Sequence, residues 1–393
     1  MDLSALLRDE DLRRREFPVC AQKIFLAHAA VCPLPRVAAD ALHEHARTAT
    51  TSGPDDYVTA LRQIRSARET CARMLPGATP EEIALLGPTS LGLSLFAGGL
   101  DWQGGDEVIY YAEDYPANVY PWTDLARRGV VPRALRPERP GEITPALVEA
   151  ALTPRTRLVA LASAFFLNGY RIDVDAIGKM LGQRGVLFSV DAIQTLGAFP
   201  LPVEHVDFLS ADAHKWMLGP LASGIVYVKK SRFETLRPLL LGASNVRSPD
   251  FIAQEEIRFL DTAARYEPGV LNLGPILGMQ ASLELLQAVG AETVAARLGA
   301  LVGRLAAGLG ELGFEPVGPV DGPNASGILA VTHPRADASE IFKHLQENRV
   351  TASLRHDRSR REYLRWSPHF YTTEEEIDRA VALVGRFLAV HHR

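Results

Sequence analysis

Hydrophobic positions along the chain follow two alternating patterns. Short apolar runs at 83–86, 107–111, 157–162, 186–190, 206–210 and 224–228 have the length and continuity of strands buried on both faces. Between them apolar residues return every three or four positions. Leu91, Leu95 and Phe96 in 90–100, the stretch 125–128 after Pro121, and 174–182 predict helices. Near-continuous strands separated by helices predict an α/β fold, with a mostly parallel sheet flanked by helices. After about residue 270 the pattern changes. Long helices are predicted over 274–286 and 293–312, the second from Val294, Leu298, Leu301, Leu305, Leu309 and Leu312 on one face. Short strands at 327–332 and 350–354 follow. A last helix opens on a capping box, Thr372 with Glu375 or Thr373 with Glu376. Helix, strand, helix, strand, helix predicts a smaller C-terminal α+β domain. The expected division is a large domain over 19–270 and a small one over 271–393, with residues 1–18 packing near the latter.

The chemistry concentrates between 186 and 228. One predicted strand runs into Asp191, with Gln194 three residues on. The next runs into Asp212, His214 and Lys215. Ligands of open parallel sheets sit outside the carboxyl ends of strands. Asp191 and Lys215 are therefore expected on one functional rim. A buried aspartate can keep a pyridine nitrogen protonated, which makes pyridoxal phosphate an electron sink. A lysine can form a Schiff base with its aldehyde and then serve as the proton-transfer base. Gln194 can hydrogen-bond the ring hydroxyl, and His214 can contact phosphate or hydroxyl. Taken singly, an Asp after a strand is a common turn residue and a Lys a common surface residue. The set together points to a cofactor.

Ser189-Val190-Asp191-Ala192-Ile193-Gln194 and Ser210-Ala211-Asp212-Ala213-His214-Lys215-Trp216-Met217-Leu218-Gly219-Pro220 resemble the class V aminotransferases. That family includes cysteine desulfurases, selenocysteine lyases and isopenicillin N epimerase-like enzymes. The likeness spans about 24 to 388. It includes Phe25-Leu26-Ala27-His28-Ala29, Ala117-Asn118-Val119-Tyr120-Pro121-Trp122, Tyr266-Glu267-Pro268-Gly269 and Leu364-Arg365-Trp366-Ser367-Pro368-His369-Phe370-Tyr371.

The resemblance implies fold type I of the PLP-dependent transferases, with a seven-stranded type of large sheet, pyridoxal 5'-phosphate as cofactor, and a homodimer. It places the phosphate at Gly87-Pro88-Thr89-Ser90, where a helix N-terminus offers free amides and Thr89 and Ser90 offer hydroxyls. It assigns Arg365 to the substrate carboxylate, with Arg355 as a second choice, and puts His28 by the substrate. Relatives stack a histidine on the cofactor. Here the segment reads Glu113-Asp114-Tyr115-Pro116, so Tyr115 is expected instead, with Tyr120 and Trp122 as rivals. Where relatives continue Glu-Pro-Gly with a threonine that reaches the neighbouring subunit's phosphate, this chain has Val270, and Asn272 is the expected replacement.

The desulfurases carry a nucleophilic cysteine on a loop before the final arginine. The corresponding stretch, 355–363, holds no cysteine, and none follows Cys71. Persulfide formation on that loop is excluded. Transamination of a small amino acid is the first expectation, α,β-elimination of a C–S or C–Se bond the second, and epimerisation the third. Composition narrows the rest. The 393 residues are 47% hydrophobic with a net charge of −5, which excludes disorder and leaves no basic excess for nucleic acid. No run of about 18 apolar residues predicts a membrane span. Three cysteines without a CxxC pair exclude the usual zinc spacing, and the first residues are more charged than the apolar region of a signal peptide is expected to be. A cytoplasmic enzyme is expected.

Overall fold

The computed structural model describes residues 2–51 and 57–391. Seven strands form one sheet in the order Ile83–Ala84, Gly224–Val228, Phe208–Asp212, Leu187–Asp191, Thr156–Ala162, Glu107–Tyr111, Val131–Leu135. Every pairing is parallel except the two made by Gly224–Val228. The apolar runs become the central strands because helices cover both sheet faces. Val190, Leu209 and Ile225 bury into one core, and Leu158, Phe208 and Val226 into the other. Val131–Leu135 has no counterpart among the predicted strands. It alternates exposed and half-buried residues and contains Pro132, a pattern restricted to sheet edges.

A second sheet is antiparallel, in the order Ser353–His356, Glu362–Trp366, Leu329–Thr332, Glu315–Pro316. Helices Ala291–Glu311, Ala338–Glu347 and Glu374–His391 pack Leu301, Leu305, Ile341 and Ile377 against it. The capping box forms between Thr373 and Glu376: each backbone N–H donates to the other's side chain, at 3.0 and 3.2 Å. Ile24 and Leu26 join this core, and Ile24–Phe25 pairs in parallel with Val350–Thr351. Helix Leu273–Val289 buries Ile276, Met279 and Leu283 in the core of the large sheet instead. Among the described residues no single helix is long and apolar enough to cross a membrane.

Arg13 ties the N-terminal helix Glu10–Glu16 to the last helix. It is 3% exposed and donates to both Glu376 oxygens (3.0 and 3.1 Å), to Glu10 and to the Tyr371 carbonyl. Removing it leaves the Glu376 carboxylate buried without its cation. Arg13→Ala is expected to destabilise the protein by roughly 3–5 kcal/mol, read as a lower midpoint in urea unfolding. An unchanged midpoint would show that the pair contributes nothing.

Candidate active site

The carboxyl ends of the parallel strands converge on one rim. Asp191 is the last residue of its strand and Asp212 the last of the next. The chain then turns through His214 to Lys215, which is buried. Across the rim, helix Thr89–Gly99 opens from Pro88. The helix is held against the strand that delivers the lysine. The Asp212 N–H donates to Thr89 Oγ1 (2.8 Å) and Ser210 Oγ donates to the Thr89 carbonyl (3.1 Å). Gly92 permits the close approach, since a β-carbon there would stand 2.4 Å from Ser210 Oγ.

These elements enclose a cavity of about 410 Å³. Its lining includes Pro88, Thr89 and Ser90 from the helix N-terminus, Asp191, Gln194, His214 and Lys215 from beyond the strand ends, and Arg355 and Arg365 from the C-terminal part of the chain. Asp191 accepts from the Ile193 N–H (3.0 Å) through Oδ1. Burial raises its carboxyl to about 6, against the pull of that bond and of Lys215. Burial likewise lowers the Lys215 ammonium to about 8, opposed by Asp191. Each group's charge opposes the shift that burial imposes on the other. Gln194 spends one amide proton on the Ala29 carbonyl (3.2 Å), and its oxygen accepts from Trp216 Nε1 (3.1 Å). A second amide proton stays available. His214 Nδ1 lies 3.3 Å from Asp212 Oδ1.

Of the three rival aromatic residues, Tyr115 lies on the cavity wall, with its ring centroid 5.5 Å from Lys215 Nζ and its edge against Phe166. Trp122 is fully buried with Nε1 donating to Asn118 (3.0 Å), and Tyr120 is exposed outside the cavity. Arg365 is 1% exposed. Its Nη1 donates to the Phe166 carbonyl at 2.5 Å, while Nε and Nη2 are buried without a partner among the described residues.

His28 does not line this cavity, and Asn272 lies outside it too, as a role on the neighbouring subunit's phosphate requires. His28 is fully buried, with Nδ1 3.0 Å from the Ser367 carbonyl and Nε2 2.7 Å from the Tyr371 hydroxyl. Both ring nitrogens are occupied by the packing of the N-terminal strand on the C-terminal segment, so His28 has nothing to offer a substrate. Asn272 is exposed at the N-cap of helix Leu273–Val289, away from this cavity. Two participants were not anticipated. Phe166 anchors Arg365. Asp114 holds the Tyr115 turn by accepting from the Tyr115 N–H (2.8 Å) and from Asn118 Nδ2 (3.0 Å). Burial and the Asp191 charge raise Asp114 to about 7. Both follow the carboxyl ends of sheet strands, which is the signal that could have found them.

The residues fit pyridoxal phosphate. A helix N-terminus with two hydroxyls suits the phosphate, a buried carboxylate the ring nitrogen, and a buried amine of lowered pKa the aldehyde. The orphaned N–H pair of Arg365 is a fork for a carboxylate that the protein itself does not supply. Fold and cavity together define a PLP-dependent enzyme of fold type I. The aminotransferase class-V profile matches residues 24–380, and the chain belongs to that family. A probable cysteine desulfurase of Methanothermobacter thermautotrophicus is 28% identical over 390 residues, covering 94% of this chain and 96% of the relative. Isopenicillin N epimerase of Streptomyces clavuligerus is also 28% identical, over 88% of this chain and 90% of its own. The solved cysteine desulfurase of Thermococcus onnurineus superposes with a TM-score of 0.89 at 22% identity, covering 97% of this chain and 98% of that one.

Proposed function

We propose that the protein removes the α-proton of a small amino acid and expels a sulfur or selenium substituent from its β-carbon, as a lyase without an enzyme thiol. The observation that carries the first half is the Arg365 fork, unpaired and buried, on the same cavity as Lys215. Arg365 would hold the α-carboxylate through two parallel hydrogen bonds, which fixes the α-carbon relative to the lysine. Lys215 would take the α-proton on its neutral amine and return it to the leaving group or product. When bound, pyridoxal phosphate supplies the sink for the electron pair left behind. Asp191 would hold the ring nitrogen cationic, Gln194 would donate to the ring hydroxyl, and Thr89, Ser90 and His214 would hold the phosphate. Tyr115 would cover the ring's outer face and keep water from it.

The second half is supported by the desulfurase name of a relative aligned over nearly the whole chain. The leaving group would depart directly. Cys32 is buried off the cavity wall, and burial pushes its thiol up to about 12, so it is no thiolate nucleophile. Transamination, the first expectation from the sequence, uses the same lysine for the α-proton but leaves the β-substituent in place. Product analysis with a panel of amino acids separates the reactions. Keto acid and ammonia together with sulfide, selenide or a thiol support elimination. Keto acid with pyridoxamine phosphate, or inversion of the α-carbon, would replace it with transamination or epimerisation.

The lowered pKa of Lys215 has a direct consequence. A base whose conjugate acid titrates at about 8 is mostly neutral above that pH, and only the neutral amine attacks an aldehyde. Covalent cofactor uptake by the apo-protein is expected to accelerate with pH and to level off just above pH 8, followed by absorbance. A rate still climbing beyond pH 10 would contradict the buried, partly neutral lysine.

A homodimer is part of this reading. Leu239, Leu240, Leu241, Phe251, Ile252, Ile257 and the fully exposed Val270 lie in one stretch of chain that also leads to Asn272. A second copy covering that stretch would bring Asn272 near its neighbour's phosphate. Light scattering that gives a monomer at micromolar concentration would remove this element.

A further inference from the structure

Arg355 and Arg365 stand on one β-hairpin. Strand Ser353–His356 pairs antiparallel with Glu362–Trp366, and Arg365 lies opposite Ser353. Arg355 is two residues beyond Ser353, so it emerges on the same face as Arg365, one diagonal step away, roughly 7–8 Å between backbones. Both side chains line the Lys215 cavity. Burial lowers both guanidinium pKa values, and the charge of Arg355 lowers Arg365 further.

Two cations held this close in a half-buried site need anions. One α-carboxylate serves the Arg365 fork. The acids near Arg355 have other partners. Asp357 accepts from Ser359 (2.6 Å) and Tyr363 (2.6 Å), Glu362 faces His356 (3.1 Å), and Asp114 holds the Tyr115 turn. Arg355 itself donates to the Leu354 carbonyl at 3.3 Å, and no carboxylate among the described residues pairs with it. Asp191, the acid on the cavity wall, has its charge opposed by Lys215 instead. The phosphate cradle at Pro88–Ser90 has its own donors.

We propose that the site selects amino acids whose side chain ends in a second anionic oxygen group, such as a carboxylate, sulfinate or sulfonate, and that Arg355 reads that group. The proposal rests on the assignment of Arg365 to the α-carboxylate. A planar guanidinium discriminates an anion from its neutral isostere because the isostere leaves the half-buried Arg355 charge unmatched.

Aspartate against asparagine, and glutamate against glutamine, are shape-matched probes of this charge. Their binding to the holoenzyme is read from the change in the cofactor's visible absorbance, without any turnover. At least one acid is expected to bind roughly 10- to 100-fold tighter than its amide. In Arg355→Gln that preference should fall to about unity, while the affinity for pyridoxal phosphate stays unchanged. Arg365→Gln should weaken acid and amide alike. Equal binding of acid and amide by the unmodified enzyme would overturn the proposal, as would an Arg355→Gln variant that keeps the preference or chiefly loses cofactor. Absence of any spectral response to all four compounds, and to other α-amino acids, would instead overturn the amino-acid reading of the whole site, and this proposal with it.

Discussion

Lys215→Ala is expected to lose turnover by at least roughly 10³-fold, while the protein still folds and still takes up pyridoxal phosphate without a covalent bond. The lysine is asked to do two things that no neighbour can do. It forms the link to the aldehyde, and its neutral amine moves the α-proton; proton transfer by a positioned group is worth about 10²–10⁴ alone. Lys215 is the lysine that lines the cavity; Lys179, Lys229 and Lys230 do not. Folding should survive because the lysine's desolvation already opposes its charge, and Asp191, pushed up to about 6 by burial, can take a proton once its cation is gone. The Thr89, Ser90 and Gln194 contacts remain for the cofactor. The check is a single-turnover absorbance experiment on the variant. Turnover within tenfold of the unmodified enzyme would remove Lys215 from the role of base.

Asp191→Asn is expected to have the second largest effect. An amide of the same shape keeps the Ile193 N–H contact but cannot hold a ring nitrogen cationic. Breaking a buried ion pair on one side costs roughly 3–5 kcal/mol, about 10²–10⁴-fold if it falls wholly on the proton-removal step. The variant should lose rate, show a slower exchange of the α-proton with deuterated water, and retain Arg365-dependent substrate affinity. Restoring an acid of different length, Asp191→Glu, should recover part of the exchange rate. Wild-type exchange in Asp191→Asn would place the carboxylate outside the chemistry.

The elements that carry these two residues are those the sequence shows most clearly. Strands buried on both faces must be apolar throughout, and the polar residue that ends each run then stands out, as Asp191 and Asp212 do. What the sequence hides is structure whose pattern is set by one exposed face or by distant packing. Helices Arg36–Ala49 and Tyr57–Arg73 have no counterpart among the expectations, being largely polar on the outer side. The hairpin bearing Arg355 and Arg365 reads as a charged loop, because its first strand is only partly buried. Register, not composition, puts the two arginines on one face. His28 shows the converse. A motif position suggested a substrate contact, whereas the fold spends both ring nitrogens on Ser367 and Tyr371.

The central claim is a covalent bond at one nitrogen, and trapping it is the most direct test. The holoenzyme is reduced with borohydride, digested, and its peptides are weighed. The expected result is a pyridoxyl group on the peptide containing Lys215, lost in Lys215→Ala. A label on any other lysine, or none on a protein that has taken up the cofactor, would contradict the account.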